Sequence, residues 1–279
     1  KLKYCGDKFI VVSESTDKLY SSLDGVNWDE RTLPMIADWK SIAYGNGIFV
    51  SLSYDSNKSI YSNNGVDWFE NEKTLPITGY WNSIAYGNGV FVSLSSNSDK
   101  SIYSYDGITW VVNSLPITGM WSSIAYGNGM FVSLSYNTNK SIYSYDGINW
   151  ELSELPITGN WESITYGNGV FVSLSNNSDK SIYSSDGITW FENTLPITGN
   201  WNSIAYGNGM FVSVIYQHSN IIYSYDAVTW FTADLKNVAN WQFITFGVNK
   251  FVIISPGAPS NLSLTINDFI IKIEDISYP

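Results

Sequence analysis

Carboxylates are the most numerous side chains in this sequence that could act as acids or bases near neutral pH, with 25 aspartates and glutamates and one histidine. Hydrolysis of a glycosidic bond needs two carboxylates at a set separation, one as the acid and the other as base or nucleophile. The glutamates that could serve are Glu70, Glu151, Glu154, Glu162 and Glu192. Most of them lie late in a repeated unit of the chain, where charged side chains keep a sheet edge from pairing with another. We therefore interpret them as a solvated outer edge, and a glycoside hydrolase ranks last among the functions.

Histidine and cysteine chemistry rests on single residues, His218 and Cys5. One imidazole with no second histidine or cysteine nearby makes a poor metal site, and a Ser-His-Asp triad would need partners met by chance. The recurring Gly-Asn-Gly is not followed by Gly-Lys-Ser or Gly-Lys-Thr, so it is not a phosphate loop. We expect no catalytic residue, no metal and no cofactor. Cys5 stands where most copies of the repeat have glycine, and we interpret it as a neutral replacement rather than a reactive thiol.

Ligand binding has better candidates, in short polar segments that differ between copies of the repeat: 54–57, 96–99, 136–139, 176–179 and 216–220. Tyrosine, asparagine and serine combine flat aromatic surface with hydrogen-bond donors and acceptors at low ordering cost. Such side chains suit sugars, and several weak copies would act together through avidity. The predicted ligand-binding residues are Tyr54, Asp55, Asn57, Asn97, Asp99, Tyr136, Asn137, Asn139, Asn176, Asn177, Asp179, Tyr216, Gln217 and His218. The alternative is that these segments are solvated spacers that tolerate change.

The segments recur because almost the whole chain consists of one repeated unit, to which all 12 tryptophans belong. The set that opens each copy is Trp39, Trp81, Trp121, Trp161, Trp201 and Trp241, and the set that lies late in a copy is Trp28, Trp68, Trp110, Trp150, Trp190 and Trp230. The opening tryptophans lie 40 residues apart, or 42 between the first two. Such a period with β-type composition is typical of a propeller or a solenoid. We expect the opening set to pack between units, with a ring of exposed stacking platforms as the alternative, and the late set to lie in the core.

One copy contains four predicted strands. Residues 81–86 and 90–95 flank Gly-Asn-Gly and form a first hairpin, because Asn-Gly tolerates the positive φ of a tight turn. Residues 100–104 and 108–112 flank an Asp-Gly turn and form a second hairpin. The segment Leu-Pro-Ile-Thr-Gly then connects to the next copy, and no window keeps the apolar stripe of a helix. Four antiparallel strands in about 40 residues make one propeller blade.

The second turn carries a resemblance to a known repeat. Residues 104–110, Ser-Tyr-Asp-Gly-Ile-Thr-Trp, resemble the Asp-box of bacterial neuraminidase repeats, one residue shorter between aspartate and glycine. The whole unit, with Tyr-Gly-Asn-Gly, Phe-Val, Tyr-Ser, Asp-Gly and Trp in order, resembles repeats of bacteriophage tail and virion proteins. The resemblance implies a β-propeller. It does not extend to sialidase activity, since sialidases of that family hold the substrate carboxylate with three arginines, and Arg31 is the one arginine here.

The aspartate of this turn is predicted to be structural. Asn64 replaces it in one copy, and Ala227 replaces the glycine in another. Five or six equivalent copies of a catalytic group would be hard to explain. The aspartate should therefore cap its own turn by accepting backbone N–H bonds.

Counting first hairpins predicts seven blades, at 1–38, 39–80, 81–120, 121–160, 161–200, 201–240 and 241–279. We predict a single all-β domain, a seven-bladed β-propeller of four-stranded antiparallel blades whose ends meet between blades one and seven. A six-bladed ring with an appended edge is the alternative. Residues 241–254 are a diverged first hairpin, and 261–276 should supply the last two strands. The first copy lacks its opening tryptophan, so we expect the sequence to be part of a longer polypeptide.

Charge and hydropathy argue against two classes of partner. The net charge is −11 and the basic residues are scattered singly, so phosphate contacts cannot accumulate and nucleic-acid binding is not expected. No apolar run approaches the roughly 20 residues of a bilayer span. Membrane insertion is therefore not expected either.

These observations favour a non-enzymatic recognition domain, part of a phage tail or fibre or of another virion or surface protein. It would bind a host-surface glycan or protein receptor through the variable segments on one propeller face, beside neighbouring virion or surface-protein subunits. The expected location is a virion or the extracellular surface of a cell. A purely structural propeller that docks to other proteins is the alternative.

Overall fold

The computed structural model of the chain describes residues 1–255 and 263–266, which form strands and turns without a helix. An apolar helix long enough to cross a membrane is accordingly missing from this part of the chain. The strands form seven separate antiparallel sheets, each one the blade of a propeller. The predicted all-β fold with seven blades is thereby confirmed for the described residues, and the six-bladed alternative is wrong.

Five blades have four strands each. Blade one contains β1 (Leu2–Cys5), β2 (Lys8–Val12), β3 (Thr16–Ser22) and β4 (Asp29–Ala37). Blade two contains β5 (Trp39–Gly45), β6 (Ile48–Ser53), β7 (Ser59–Ser62) and β8 (Phe69–Glu70). Blade three contains β9 (Trp81–Gly87), β10 (Val90–Ser95), β11 (Ser98–Ser104) and β12 (Val111–Gly119). Blade four contains β13 (Trp121–Gly127), β14 (Met130–Ser135), β15 (Thr138–Ser144) and β16 (Glu151–Gly159). Blade five contains β17 (Trp161–Gly167), β18 (Val170–Ser175), β19 (Ser178–Ser184) and β20 (Phe191–Gly199).

The last two blades depart from this plan. Blade six contains β21 (Trp201–Gly207), β22 (Met210–Ser224) and β23 (Phe231–Asn240), because its second and third strands run on as one. Blade seven contains β24 (Phe243–Gly247), β25 (Lys250–Ile254) and β26 (Ser263–Ile266). Its predicted fourth strand lies outside the described residues.

The connections between strands are shorter than predicted. Between β10 and β11 the chain turns over Ser96 and Asn97 alone, since asparagine accepts the positive φ of 56° that this turn requires. In blades three to five, Leu-Pro-Ile-Thr-Gly is not a connection but the end of the fourth strand, where Gly119 pairs with Ser98 in blade three. Pro116 is exposed on this outer edge, where a missing N–H breaks no ladder.

The ring closes between blades one and seven by the same contact that joins its other blades. A Cβ atom added to Gly45 would lie 2.2 Å from Cγ of Tyr86 in the next blade. Gly247 of blade seven stands in the same relation to Tyr4 of blade one, again at 2.2 Å. The first strands of successive blades thus lie side by side around a central channel, and the predicted meeting of the two ends is confirmed.

The opening tryptophans pack between blades. All six are buried, none more than 2% exposed. The indole N–H of Trp121 donates to the carbonyl of Ser98 in the preceding blade at 3.2 Å, and that of Trp161 donates to Thr138 at 3.1 Å. The interpretation as packing residues is therefore confirmed, and the alternative of exposed stacking platforms is wrong.

The aspartate of the second turn is structural, as predicted. Oδ1 of Asp106 accepts the backbone N–H groups of Ile108 at 2.8 Å and Thr109 at 2.7 Å. Oγ of Ser104 donates to the same carboxylate and accepts the N–H of Gly107. In blade two the side-chain oxygen of Asn64 makes the corresponding bonds, which explains why asparagine suffices there.

Candidate ligand site at the mouth of the channel

A β-bulge lies at the start of the first strand in blades two to six. Trp39 pairs with Ser53 and Ser41 pairs with Leu52, so Lys40 between them has no partner in the ladder. A bulge re-aims a side chain, and bulges are common beside functional sites. The residue that follows each opening tryptophan is Lys40, Asn82, Ser122, Glu162, Asn202 or Gln242. We call these six the mouth ring, because the first strands line the channel and the ring lies at their starting ends.

The mouth ring is where the first strands differ most. On either side of it the copies repeat a tryptophan before and then, with few exceptions, serine, isoleucine, alanine, tyrosine and glycine after. The ring itself holds five residue types in six copies, and every one is polar and half-buried. A half-buried polar ring that packing does not require to be uniform can bind a ligand.

Part of the predicted ligand site lies against this ring. The ammonium of Lys40 lies 3.8 Å from the ring centroid of Tyr54 and 3.5 Å from Oε1 of Glu14. Asn176 donates from Nδ2 to Oδ1 of Asn202 at 3.5 Å and also hydrogen-bonds the carboxylate of Glu162. These contacts place the first residue of a variable segment beside the mouth. The residues in that position are Tyr54, Tyr136, Asn176 and Tyr216.

The other predicted residues lie away from the mouth ring. The second residue of each segment is exposed and has a φ between 51° and 57°. Asp55, Asn97, Asn137 and Asn177 lie in tight turns, whereas Gln217 lies within β22. The fourth residue is half-buried, at or just before the third strand: Asn57, Asp99, Asn139 and Asp179. His218 is exposed on β22, where its Nδ1 accepts the N–H of Asn220 at 3.0 Å. A role for these ten residues in binding stays a prediction.

The channel also contains lysines that the sequence did not single out. Lys1 and Lys3 lie on the same face of the first strand of blade one, because side chains two apart share a face. Burial, together with the nearby charge of Lys3 and opposed by that of Glu162, lowers the pKa of the Lys1 side chain to about 8. Burial likewise lowers the pKa of Lys3. The two ammonium groups are therefore poorly solvated.

Glu162 faces these lysines from across the ring. It belongs to blade five, three blades away from blade one, yet its charge and that of Lys1 attract each other. Burial raises the pKa of Glu162, although the hydrogen bond from Asn176 and the charge of Lys1 oppose the shift. Both residues belong to the inner strands that surround the channel, Lys1 directly before β1 and Glu162 near the start of β17. The interpretation of Glu162 as an outer-edge charge is wrong, because it lies on an inner strand.

Variation within the chain was the signal that could have revealed the mouth ring. The polar segments vary over several residues and are easily noticed. The mouth ring is a single varying position inside an otherwise uniform strand, and it was overlooked. In the part of the chain that the structure describes, no three histidine, cysteine, aspartate or glutamate side chains come together as a metal site.

No protein-family model matches the chain, and no curated protein matches its sequence. Solved structures do match. Selenomethionine-substituted virginiamycin B lyase from Staphylococcus aureus is 16% identical with a TM-score of 0.81, over 91% of this chain and 90% of the lyase. A catalytically inactive variant of that lyase with quinupristin is 14% identical with a TM-score of 0.80, over 91% of each chain. YCF48 bound to D1 peptide is 15% identical with a TM-score of 0.71, over 95% of this chain and 88% of YCF48.

At these identities the comparison shows the fold alone, a β-propeller of four-stranded blades. It also contradicts the predicted function. The similar structures named above are lyases and YCF48 rather than phage tail or virion proteins, so a non-enzymatic recognition domain of a virion is not retained. The chain is similar to these propellers in architecture, and its function must be argued from its own channel mouth.

Proposed function

We propose that the chain is a ligand-binding propeller whose site is the mouth of the central channel, and that its ligand is a short peptide. The observation that carries the proposal is the mouth ring, where neighbouring positions repeat and this one is polar, half-buried and different in nearly every blade. Since the positions on either side are nearly uniform, we attribute the variety of this one to a ligand.

The chemistry of the mouth suits peptide groups. The side chains of Asn82, Asn202 and Gln242 each carry an amide, which donates and accepts hydrogen bonds as a peptide group does. Tyr54 and Tyr80 pack together with ring centroids 5.1 Å apart and supply aromatic surface at the rim. Propellers with bound ligands support the idea: the lyase variant was solved with quinupristin and YCF48 with D1 peptide.

Titration with triglycine, followed by saturation-transfer NMR and calorimetry, tests the proposal. We expect saturable binding that weakens at least tenfold in the double variant Asn82→Ala with Asn202→Ala. Asn63→Ala is the matched control, because Asn63 is exposed in the third-to-fourth-strand turn of blade two, at the opposite end of the blade. Equal weakening in the control, or no binding of triglycine to the wild type, would overturn the proposal.

Catalysis at the same mouth is a second candidate. The burial of Glu162 favours it, because burial raises the pKa of this carboxyl and makes it a better proton donor than an exposed glutamate. Incubation with peptides and mass spectrometry of the products tests this. Turnover lost in Glu162→Gln with binding retained would make the chain an enzyme. The prediction that it is not an enzyme otherwise stands as a prediction.

We also propose that the second turn is a shortened Asp-box, supported by the bonds among Ser104, Asp106 and Gly107. The predicted partners, the expected lack of nucleic-acid or membrane binding, and the virion or extracellular location stay predictions.

A further inference from the structure

The charged groups of the channel are segregated by blade. Lys1 and Lys3 lie on blade one and Lys40 on blade two, whereas Glu162 lies on blade five. In a ring of seven, blade five stands roughly opposite blades one and two. The channel therefore has a cationic side and an acidic side, with amides and a serine on the blades between.

Lys3 has no evident role in the fold. The other blades have alanine or threonine in its place: Ala43, Ala85, Ala125, Thr165, Ala205 and Thr245. Those small residues suffice for packing, and Ala43 and Ala85 lie in the hydrophobic clusters between blades. Among the described residues nothing hydrogen-bonds or ion-pairs with the ammonium of Lys3. A lysine so placed costs stability without improving packing.

Among the described residues, no carboxylate lies in ion-pair contact with Lys1 or Lys3. The Lys1 ammonium lies 5.6 Å from the ring centroid of Phe243, and its interaction with Lys3 is repulsive. Lys40 differs, because the carboxylate of Glu14 neutralises it in part. Two like charges held out of water are relieved by an anion that binds between them. This side of the channel fits a carboxylate.

Glu162 is a half-buried negative charge, for which a cation would be the favourable partner. Its carboxylate accepts a hydrogen bond from Asn176, and within the described residues no cation lies in ion-pair contact with it. An ammonium group of a ligand would complete its coordination.

We propose that the ligand of the mouth is a zwitterion, a short peptide with both ends free, whose carboxylate binds at Lys1 and Lys3 and whose ammonium binds at Glu162. This inference rests on the proposed function and specifies its ligand. The amides of the mouth ring would then pair with the peptide groups between the two ends.

Four matched probes test the assignment: triglycine, N-acetyltriglycine, triglycinamide and N-acetyltriglycinamide, which differ in the charges at their ends. We expect triglycine to bind tightest, with at least fivefold weaker binding for each blocked end. Glu162→Gln should abolish the preference for the free ammonium, and Lys3→Gln the preference for the free carboxylate. Lys180→Gln and Glu192→Gln are the controls, because this ion pair at 2.9 Å lies on the outer strands of blade five.

The outcomes separate the two proposals. If all four probes bind the wild type equally, the zwitterion inference fails while peptide binding stands. If none of them binds, the proposed function fails as well. If Lys3→Gln weakens the neutral probe as much as triglycine, Lys3 acts through structure rather than charge, and its assignment is overturned. A melting temperature of Lys3→Gln that is no lower than that of the wild type shows that loss of folding does not account for the effect.

Discussion

The two ends of a blade differ in how closely their residues repeat from blade to blade. At one end, the turn between the third and fourth strands repeats the same hydrogen bonds, with Asp106, Asp146 and Asp186 each accepting two backbone N–H groups. At the other end, the residue after the opening tryptophan changes from blade to blade. The copies thus retain the hydrogen bonds of this turn and diverge at the residue after the opening tryptophan.

Neighbouring residues show the contrast most sharply. Trp161 is 1% exposed and donates its indole N–H to Thr138 at 3.1 Å. Glu162, the next residue, is half-buried in a bulge without a ladder partner. One position serves the fold and the other is free to serve a ligand.

The largest expected effect is the difference between substitutions of Trp161 and of its neighbour Glu162. Trp161→Ala should lower the free energy of unfolding by about 3–5 kcal/mol, because it leaves a cavity between blades four and five. Glu162→Gln should change it by less than about 0.5 kcal/mol. Urea denaturation followed by fluorescence measures both. A comparable loss in Glu162→Gln would show that the mouth ring is structural after all.

A smaller effect is expected at the turns. Asp146→Ala should cost about 1–2 kcal/mol, because the N–H groups of Ile148 and Asn149 lose their acceptor. Asp146→Asn should cost less than about 0.5 kcal/mol, since Asn64 already makes the corresponding bonds in blade two. Thermal denaturation of the two variants provides the comparison. An equal loss in both would mean that the charge matters more than the capping.

A change in the opposite direction is expected in the channel. Lys3→Thr installs the residue of blades five and seven and removes a poorly solvated cation, so the free energy of unfolding should rise by about 1 kcal/mol. The same variant should lose its preference for a free carboxylate in the triglycine series. Calorimetric melting and ligand titration measure the two effects. A stability loss would show that Lys3 supports the fold.

The smallest expected effect concerns acid titration, in which Glu162 at the channel mouth should be protonated before the aspartates of the third-to-fourth-strand turns. The pKa of Glu162 is raised by burial, so the contact with a ligand ammonium should weaken first as pH falls. At Asp146 and Asp186 burial acts to raise the pKa, but the hydrogen bonds to the backbone outweigh it and lower the pKa to about 2.

The stability contributed by these two aspartates is thus fully present above the unfolded pKa of 3.8 and is lost as pH falls towards 2. Ligand titration and denaturation from pH 7 to pH 2 follow both processes. Loss of stability before loss of binding would contradict the assignment.

Much of the fold was predictable because its signals are local. Asn-Gly and Asp-Gly turns, alternating strands and the spacing of the tryptophans each operate within one repeat, so the seven blades and the structural role of Asp106 followed from them. The end of the fourth strand was missed because Pro116 and Gly119 resemble a connection, whereas pairing with the third strand extends them as an edge.

Half of the site was predictable and half was not. Tyr54 and Asn176 were found, because their segments vary openly between copies. Lys3, Lys40 and Glu162 were not, because each lies within a strand and looks like a packing position. Lys40 and Glu162 lie in bulges, which re-aim a side chain, whereas Lys3 pairs regularly with Ile10.

The sequence by itself determined the blade and the number of blades, since each blade is specified by contacts among residues close in the chain. Only the tertiary structure decided which side chains share the channel. Lys1 and Glu162 are more than half the chain apart, and their charges interact because the ring closes between Tyr4 and Gly247. Ring closure is a property of the packed tryptophans and tyrosines between blades, which no single repeat contains.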